Sequence, residues 1–310
     1  MTQAPYRLRV LGSAAGGGYP QWNCNCTNCD GLRRGTLPAR ARTQSSIAVS
    51  ANAVDWLLVN ASPDLLAQIR ANALLQPARA KRDTGIAAVL LVDAQIDHVT
   101  GLLMLREHTR PLHVLASQEV LSDLSSGFPV LPLLGHYCGV ETIPLPLDGR
   151  AVAPPTLPEV TFTPIPLASK PPPYSKYRER PRTGDNIGVI FHNPISRQSV
   201  FYAPGLGHMD EALLEQMSRC TTVLVDGTFW SNDEMQQHGL SSKTALDMGH
   251  LPQSGPDGMV SWLDRLPSGT RKLLIHINNT NPILDERSAQ RAELEAHGIE
   301  VAHDGLELRF

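Results

Sequence analysis

No apolar run in this chain approaches membrane-spanning length, which excludes a transmembrane helix of ordinary span. A basic excess is missing as well. With 27 Lys and Arg against 30 Asp and Glu, the net charge is −3, so no field draws in nucleic acid or an anionic membrane face. The stretch Met1–Arg9 is polar, and nothing in it has the form of an export signal. Cysteine is scarce and odd in number, five in 310 residues. That argues against a disulfide framework and, without an export signal, for a reducing cytoplasm. Repeats and low-complexity tracts are absent, so the chain is no repeat array. What remains is ordinary soluble material, 42% hydrophobic and 18% charged, enough for a sizeable core, with 25 prolines and 24 glycines that predict many loops.

Three of the five cysteines fall within six residues, Cys24-Asn25-Cys26-Thr27-Asn28-Cys29, after the Gly-rich run Gly16-Gly17-Gly18. Thiols this close cannot easily pair with one another, and their thiolates repel unless a cation neutralises them. Tetrahedral zinc is the usual solution. Three sulfurs leave one position, which structural sites fill with a further protein ligand, often histidine. The alternative is a trio of free or partly buried thiols in a Gly-rich loop. Cys138 and Cys220 stand alone.

Alternating and continuous apolar runs predict strands at 6–12, 46–50, 55–60, 86–92, 113–116, 160–166, 187–192, 199–203, 222–226 and 272–277, with small ones near 301 and 306–310. Asn52 sits in a predicted hairpin turn, and an Asn-Pro turn separates 187–192 from 199–203. Helices are expected at 62–73, with Ser62 as N-cap, and at 101–107, 118–124, 210–218, 256–266 and 283–297. Residues 168–184 carry four prolines among charged side chains and read as a surface loop of the lid or binding kind. Strands and helices interleave with no compositional break, which predicts a single α/β domain over 1–310 built on two sheets.

Polar residues gather at strand ends, where α/β folds place their sites. Asp93, Gln95, Asp97 and His98 follow the buried run 86–92. If the strand continues, 93, 95 and 97 point to one side, giving carboxylate and imidazole donors suited to iron, manganese or zinc. The competing reading is an acidic turn with Asp97 as a helix N-cap. Asp226 ends its own strand and reads as a cap or turn former. His250 lies in a Gly-Pro loop with no packing reason for an imidazole. His276 ends a buried strand, where a histidine is either a hydrogen-bonded core residue or a ligand.

Taken in order, Asp93-Ala94-Gln95-Ile96-Asp97-His98 with Gly101, Asp226-Gly227-Thr228-Phe229, Gly249-His250 and Ile275-His276-Ile277 resemble the motif series of the metallo-β-lactamase superfamily, in particular its tRNA-processing and phosphodiesterase branches. The run Leu11–Cys24, Tyr202-Ala203-Pro204-Gly205-Leu206-Gly207 and Asp226–Trp230 bring the resemblance closer to the branch that serves pyrroloquinoline quinone (PQQ) biosynthesis. The resemblance implies an αββα four-layer sandwich, two mixed sheets with helices outside. It also implies that residues 16–30 form a structural zinc loop, with Cys24, Cys26 and Cys29 joined by His250 as the fourth ligand. Two histidines of the superfamily's first motif are replaced by Asp93 and Gln95, and Pro204-Gly205 stands where a bridging aspartate is expected. Too few donors remain for a dinuclear hydrolase, so β-lactamase or nuclease activity is not implied.

One metal remains feasible. The resemblance implies an Fe2+- and O2-dependent hydroxylase acting on the tyrosine ring of a cross-linked Glu-Tyr precursor. Asp93, Asp97 and His98 would be catalytic and would hold the iron with His276, under a covering loop from Lys170 to Arg182 whose cations suit carboxylates. The second expectation, of another class, is a non-catalytic carrier of PQQ or its precursor toward the periplasm. Partners would then be that precursor or PQQ, with room for other pathway proteins and for a homodimer, and neither nucleic acid nor membrane insertion.

Overall fold

A computed structural model describes residues 6–310; Met1–Pro5, the start of the polar N-terminal stretch, lies outside the described residues. Among these, the strands form two mixed sheets. The first sheet is built from β1 (Arg7–Gly12), β2 (Ser46–Ser50), β3 (Trp56–Val59), β4 (Ile86–Leu90), β5 (Leu112–Ala116) and β6 (Val140–Pro144). The second is built from β7 (Thr161–Pro166), β8 (Ile187–His192), β9 (Ser199–Ala203), β10 (Thr222–Asp226), β11 (Arg271–Ile275) and β12 (Ile299–Val301). The last strand, β13 (Glu307–Arg309), returns to pair antiparallel with β1. The spatial orders are β13-β1-β2-β3-β4-β5-β6 and β12-β11-β10-β9-β8-β7.

The layering follows from which faces are apolar. Val10, Ile47 and Leu57 of the first sheet meet Phe191, Val200 and Leu224 of the second in a shared core. The alternate residues Ala48, Leu58 and Val89 face outward, onto helices Leu65–Ala71 and Gln118–Ser126. Phe201, Val223 and Leu274 do the same toward helices Glu211–Ser218 and Met259–Leu263. Helix, sheet, sheet, helix is the four-layer sandwich. Both faces of its central strands are buried, which is why they read as unbroken apolar runs. Each such side chain contributes about 1.5–3 kcal/mol on burial, and with both faces apolar it is side-chain size and packing, not apolar–polar alternation, that hold the register.

Turn chemistry agrees with the predicted breaks. Asn52 Oδ1 accepts from the amides of Val54 and Asp55 between β2 and β3, and Asn193 Oδ1 accepts from Ile195 between β8 and β9. Other boundaries move. The helix expected from 101 opens at Ile96 and continues as a 3-10 stretch, Thr100–Leu105. The N-cap expected at Ser62 falls on Asp64, whose carboxylate instead accepts from Gln44. Short helices at Thr27–Arg34, Val130–Leu134, Glu234–Gln237 and Ala245–Met248, and the strand β6, have too few turns or too little alternation to stand out in sequence. Among the described residues no helix is long and apolar enough to cross a membrane.

Candidate metal centre and its cleft

β4, β10 and β11 end side by side in space at one end of the sandwich, and each hands its chain to a titratable side chain. After β4 the chain does not continue extended as the alternation of 93, 95 and 97 requires. It turns at Asp93, where Asp93 Oδ1 accepts from Gln95 N at 2.9 Å, and enters helix Ile96–Val99. β10 ends on Asp226, and its register partner on β11 is Ile275, so His276 follows immediately. His276 takes a left-handed backbone, φ 62°, unusual for a non-glycine residue.

Asp97, His98 and His276 place ligand atoms within 4.8 Å of one another. Asp97 Oδ2 lies 3.2 Å from His276 Nε2 and 3.8 Å from His98 Nε2. Asp93 is not in that group. Both of its oxygens lie 2.8 Å from His98 Nδ1, so it grips the far side of the ring and turns Nε2, buried and without a hydrogen-bond partner, toward Asp97. The metal-ligand role expected for Asp93 therefore becomes an orienting one, the carboxylate–histidine arrangement that fixes a ligating imidazole. Gln95 lines the cleft, but its amide reaches toward the Lys170 carbonyl at 3.5 Å.

Asp226, His250 and His276 form a second group, and hydrogen bonds account for it. Asp226 Oδ2 accepts from Leu206 N at 2.8 Å and lies 2.6 Å from His250 Nδ1. Its Oδ1 lies 2.5 Å from the Thr228 hydroxyl, which takes that hydroxyl's single proton. Thr228 Oγ1 then accepts from His276 Nδ1 at 2.8 Å. All three rings are thus pinned at Nδ1, with Nε2 left for chemistry. Asp226 was legible as a cap or turn former and as the first residue of the Asp-Gly-Thr-Phe motif, and Thr228 carried no signal beyond its place in that motif.

The electrostatics follow from these pairings. Burial opposes charge on His98, but the Asp93 and Asp97 carboxylates overcome it and push the ring up to about 9. Burial would raise Asp97, yet the two imidazoles hold it well below the usual carboxylate range. Asp226 and His250 oppose burial in the same reciprocal way, the acid lowered and the base raised. Two imidazoles and a carboxylate converging around an unpartnered buried Nε2 suit a single divalent ion, which would replace the proton on His98.

A cleft of about 230 Å³ stands over this group, lined also by Ser169, Arg178, Asn186 and Lys243. The loop 168–184 reaches it through Ser169, Pro173 and Arg178. Ser169 Oγ donates to Gly249 O at 3.1 Å, and the Tyr174 hydroxyl donates to Ala94 O. Two of the loop's other cations are engaged elsewhere: Lys170 Nζ donates to Asp247 O at 3.3 Å, and Arg182 pairs with Asp185 at 2.6 Å.

Cys24, Cys26 and Cys29 do converge, their sulfurs within 4.8 Å of one another. Cys26 is the N-cap of helix Thr27–Arg34, so Cys26 and Cys29 straddle its first turn. The amides of Cys26 and Gln21 donate to Cys24 Sγ at 3.5 Å and Cys29 Sγ at 3.4 Å. The structure does not bring His250 to them. Gly249, in the left-handed region at φ 95°, ends helix Ala245–Met248 and delivers His250 to Asp226, so the expected fourth ligand belongs to the other centre.

A family model described as the beta-lactamase superfamily domain matches residues 55–277. The coenzyme PQQ synthesis protein B of Cupriavidus necator is 60% identical over 301 residues, 97% of this chain and 98% of that one. The Pseudomonas aeruginosa protein of the same name is 55% identical over 304 residues, 98% and 99% of the two chains. The chain belongs to the coenzyme PQQ synthesis protein B family. The crystal structure of Zn2+-bound PqqB from Methylobacterium extorquens superposes with a TM-score of 0.89 at 36% identity, covering 98% of this chain and all of that one. The four-layer architecture is thus that of PqqB, and the metallo-β-lactamase resemblance read from the motifs holds over most of the chain.

Proposed function

We infer that this protein acts in PQQ biosynthesis, in the cytoplasm, as an iron- and O2-dependent hydroxylase of the tyrosine ring in the cross-linked Glu-Tyr precursor. Its relatives' shared name supports the pathway. The observation that carries the reaction class is the Asp97–His98–His276 group beneath a cleft lined by Arg178 and Lys243. Two imidazoles and one carboxylate are the donor set of non-haem iron oxygenases. Iron(II) bound there would supply activation of O2 for transfer of one oxygen atom to the ring, the other leaving as water with two electrons from an external reductant.

The chain's own residues account for the rest. Asp93 and Thr228 hold the two ligating rings with Nε2 inward. His250, backed by Asp226, is a base within the same cleft that can take the phenol proton at Nε2. Arg178 and Lys243 pair with the precursor's carboxylates. Zinc at Cys24, Cys26 and Cys29 belongs to the fold rather than to the reaction.

Anaerobic iron loading, followed by admission of isotopically labelled O2 with a Glu-Tyr precursor analogue, tests the reading. Oxygen uptake with one labelled atom in the product is expected, and His98→Ala should abolish it. No uptake in the wild type, with the precursor or PQQ still bound tightly, would leave the carrier reading, which the loss of two motif histidines favours.

A further inference from the structure

Among the described residues, the buried side-chain nitrogens and oxygens left without a hydrogen-bond partner include two from the cleft lining, His98 Nε2 and Asn186 Nδ2. The first faces the metal position. The second has no such account. An amide N–H2 buried without an acceptor carries a desolvation penalty that a ligand oxygen would remove. Asn186 is only 5% exposed. Its backbone is fixed where the two sheets meet: its carbonyl accepts from Leu167 N at 3.0 Å, and Ile187 N beside it donates to Val92 O at 2.9 Å.

Gly205 belongs to the same corner. The antiparallel pair β8 and β9 sets Val189 opposite Tyr202, and Asn186 and Gly205 each lie three positions further toward the same end. Glycine at 205 answers no local need. It is not in the left-handed region, and a methyl placed on it would meet no atom within 4 Å. Gly249, in the same lining, differs on both counts, with φ 95° and a methyl that would come within 2.9 Å of Ser169 Oγ. Alanine at 205 would restrict the unfolded chain and favour folding, so the bare backbone serves the space it leaves open. We propose that Asn186 and Gly205 form the seat of the substrate's aromatic ring, Gly205 giving the ring room and Asn186 donating a hydrogen bond to its oxygen. This rests on the reading that the cleft takes the tyrosine of a Glu-Tyr precursor.

A ring oxygen suits Asn186 better than a carboxylate does. The precursor's carboxylates have Arg178 and Lys243, whereas the amide is neutral. The cleft's other neutral donors are committed, Ser169 Oγ to Gly249 O at 3.1 Å and Gln95 Nε2 toward Lys170 O at 3.5 Å. A phenol that gives its proton to His250 keeps lone pairs in need of a donor. As that proton leaves, charge grows on the oxygen and the N–H bond to it strengthens. A ring without the oxygen would leave the amide buried and unpaired, which is how polar sites reject close analogues.

Binding to zinc-loaded, full-length protein tests the assignment without turnover. Two probes are titrated by calorimetry, the Glu-Tyr precursor analogue and its counterpart with phenylalanine in place of tyrosine. Asn186→Leu, similar in shape but without the donor, should weaken the tyrosine probe about tenfold and leave the phenylalanine probe unchanged. Ligand-free Asn186→Leu should melt at or above wild type, because an unpaired buried donor has been removed. Gly205→Ala should weaken both probes alike, by about tenfold, and should not lower the melting temperature. Equal losses for the two probes in Asn186→Leu, or none, overturn the assignment. So does an Asn186→Leu that fails to fold or melts well below wild type, since the amide would then serve the fold through a bridging water. Failure of wild type to bind either probe overturns it too. Hydroxyl-selective binding that depends on Asn186, without oxygen uptake by the iron-loaded protein, would sink the hydroxylase reading alone. Uptake with no selectivity between the rings would sink this assignment alone.

Discussion

Each imidazole in the cleft has a fixed partner on Nδ1: Asp93 for His98, Thr228 for His276 and Asp226 for His250. The partners decide which nitrogen is offered and how readily it binds a proton or a metal. For His98 the consequence depends on pH. Its folded value, about 9, lies above the ordinary 6.5, so in metal-free protein the charged ring stabilises the fold fully below pH 6.5. That contribution is lost as pH rises toward 9. Metal on Nε2 displaces the same proton, so metal affinity should climb across the same window. Thermal denaturation of metal-free protein over this range should show melting temperature falling. Asp93→Asn, which removes the charge but keeps the shape, should flatten the fall and weaken metal binding about 10- to 100-fold in calorimetric titration. A wild-type profile already flat through that window would refute the role given to Asp93. Sequence placed Asp93 near His98 correctly, but it could not separate a ligand from the residue that orients one. That distinction depends on which ring nitrogen faces the carboxylate, and spacing along the chain does not encode it.

Elements rather than single residues set where His98 stands. Helix Ile96–Val99 hangs from the end of β3 through Ala61 N, which donates to His98 O at 2.7 Å, and Gly101 N, which donates to Ala61 O at 2.8 Å. A methyl on Gly101 would come within 2.1 Å of the Ser62 carbonyl oxygen and 2.7 Å of that of Ala61. Both are backbone atoms and cannot swing aside. Gly101→Ala should therefore push the 3-10 stretch away from β3, destabilise the protein by about 1–3 kcal/mol or more in denaturant melts, and weaken metal binding at His98. Equal stability of variant and wild type would show that the contact is slack. The glycine was legible as a motif position, though its reason, close backbone approach, was not. The long central strands were read almost to the residue because burial on both faces makes them uniformly apolar. Helix Thr27–Arg34 was not, since Gly31 and the cysteines are poor helix formers and its support comes from the Gly35 C-cap, at φ 69°, and the Arg34–Asp30 ion pair.

At the scale of the whole molecule, the sandwich gathers at one end what the chain keeps far apart. Asp97, Arg178, Lys243 and His276 span 180 residues and line one cleft. The long-range partners, Asp226 with His250 and Asn279 with the cysteines, were the ones sequence missed, because each joins loops far apart in the chain, His250 to the end of β10 and the segment after β11 to the loop after β1, with no local motif to mark it. Arg178 and Lys243 come from separate loops, one on the covering loop between β7 and β8 and one just before helix Ala245–Met248. If the ligand is a precursor rich in carboxylates, the two cations should contribute unequally. Arg178 is half-buried and offers a planar fork, whereas Lys243 is exposed and screened. Arg178→Met should then raise KM for the precursor about tenfold, the effect of losing one charge-assisted hydrogen bond. Lys243→Met should raise it only a few-fold, roughly, and by less as salt is added. An analogue with its carboxylates converted to amides should bind both variants and the wild type alike. If the amide analogue instead loses as much affinity as the natural precursor in Arg178→Met, the arginine shapes the cleft rather than reading charge, and the carboxylate-rich substrate class loses its main support.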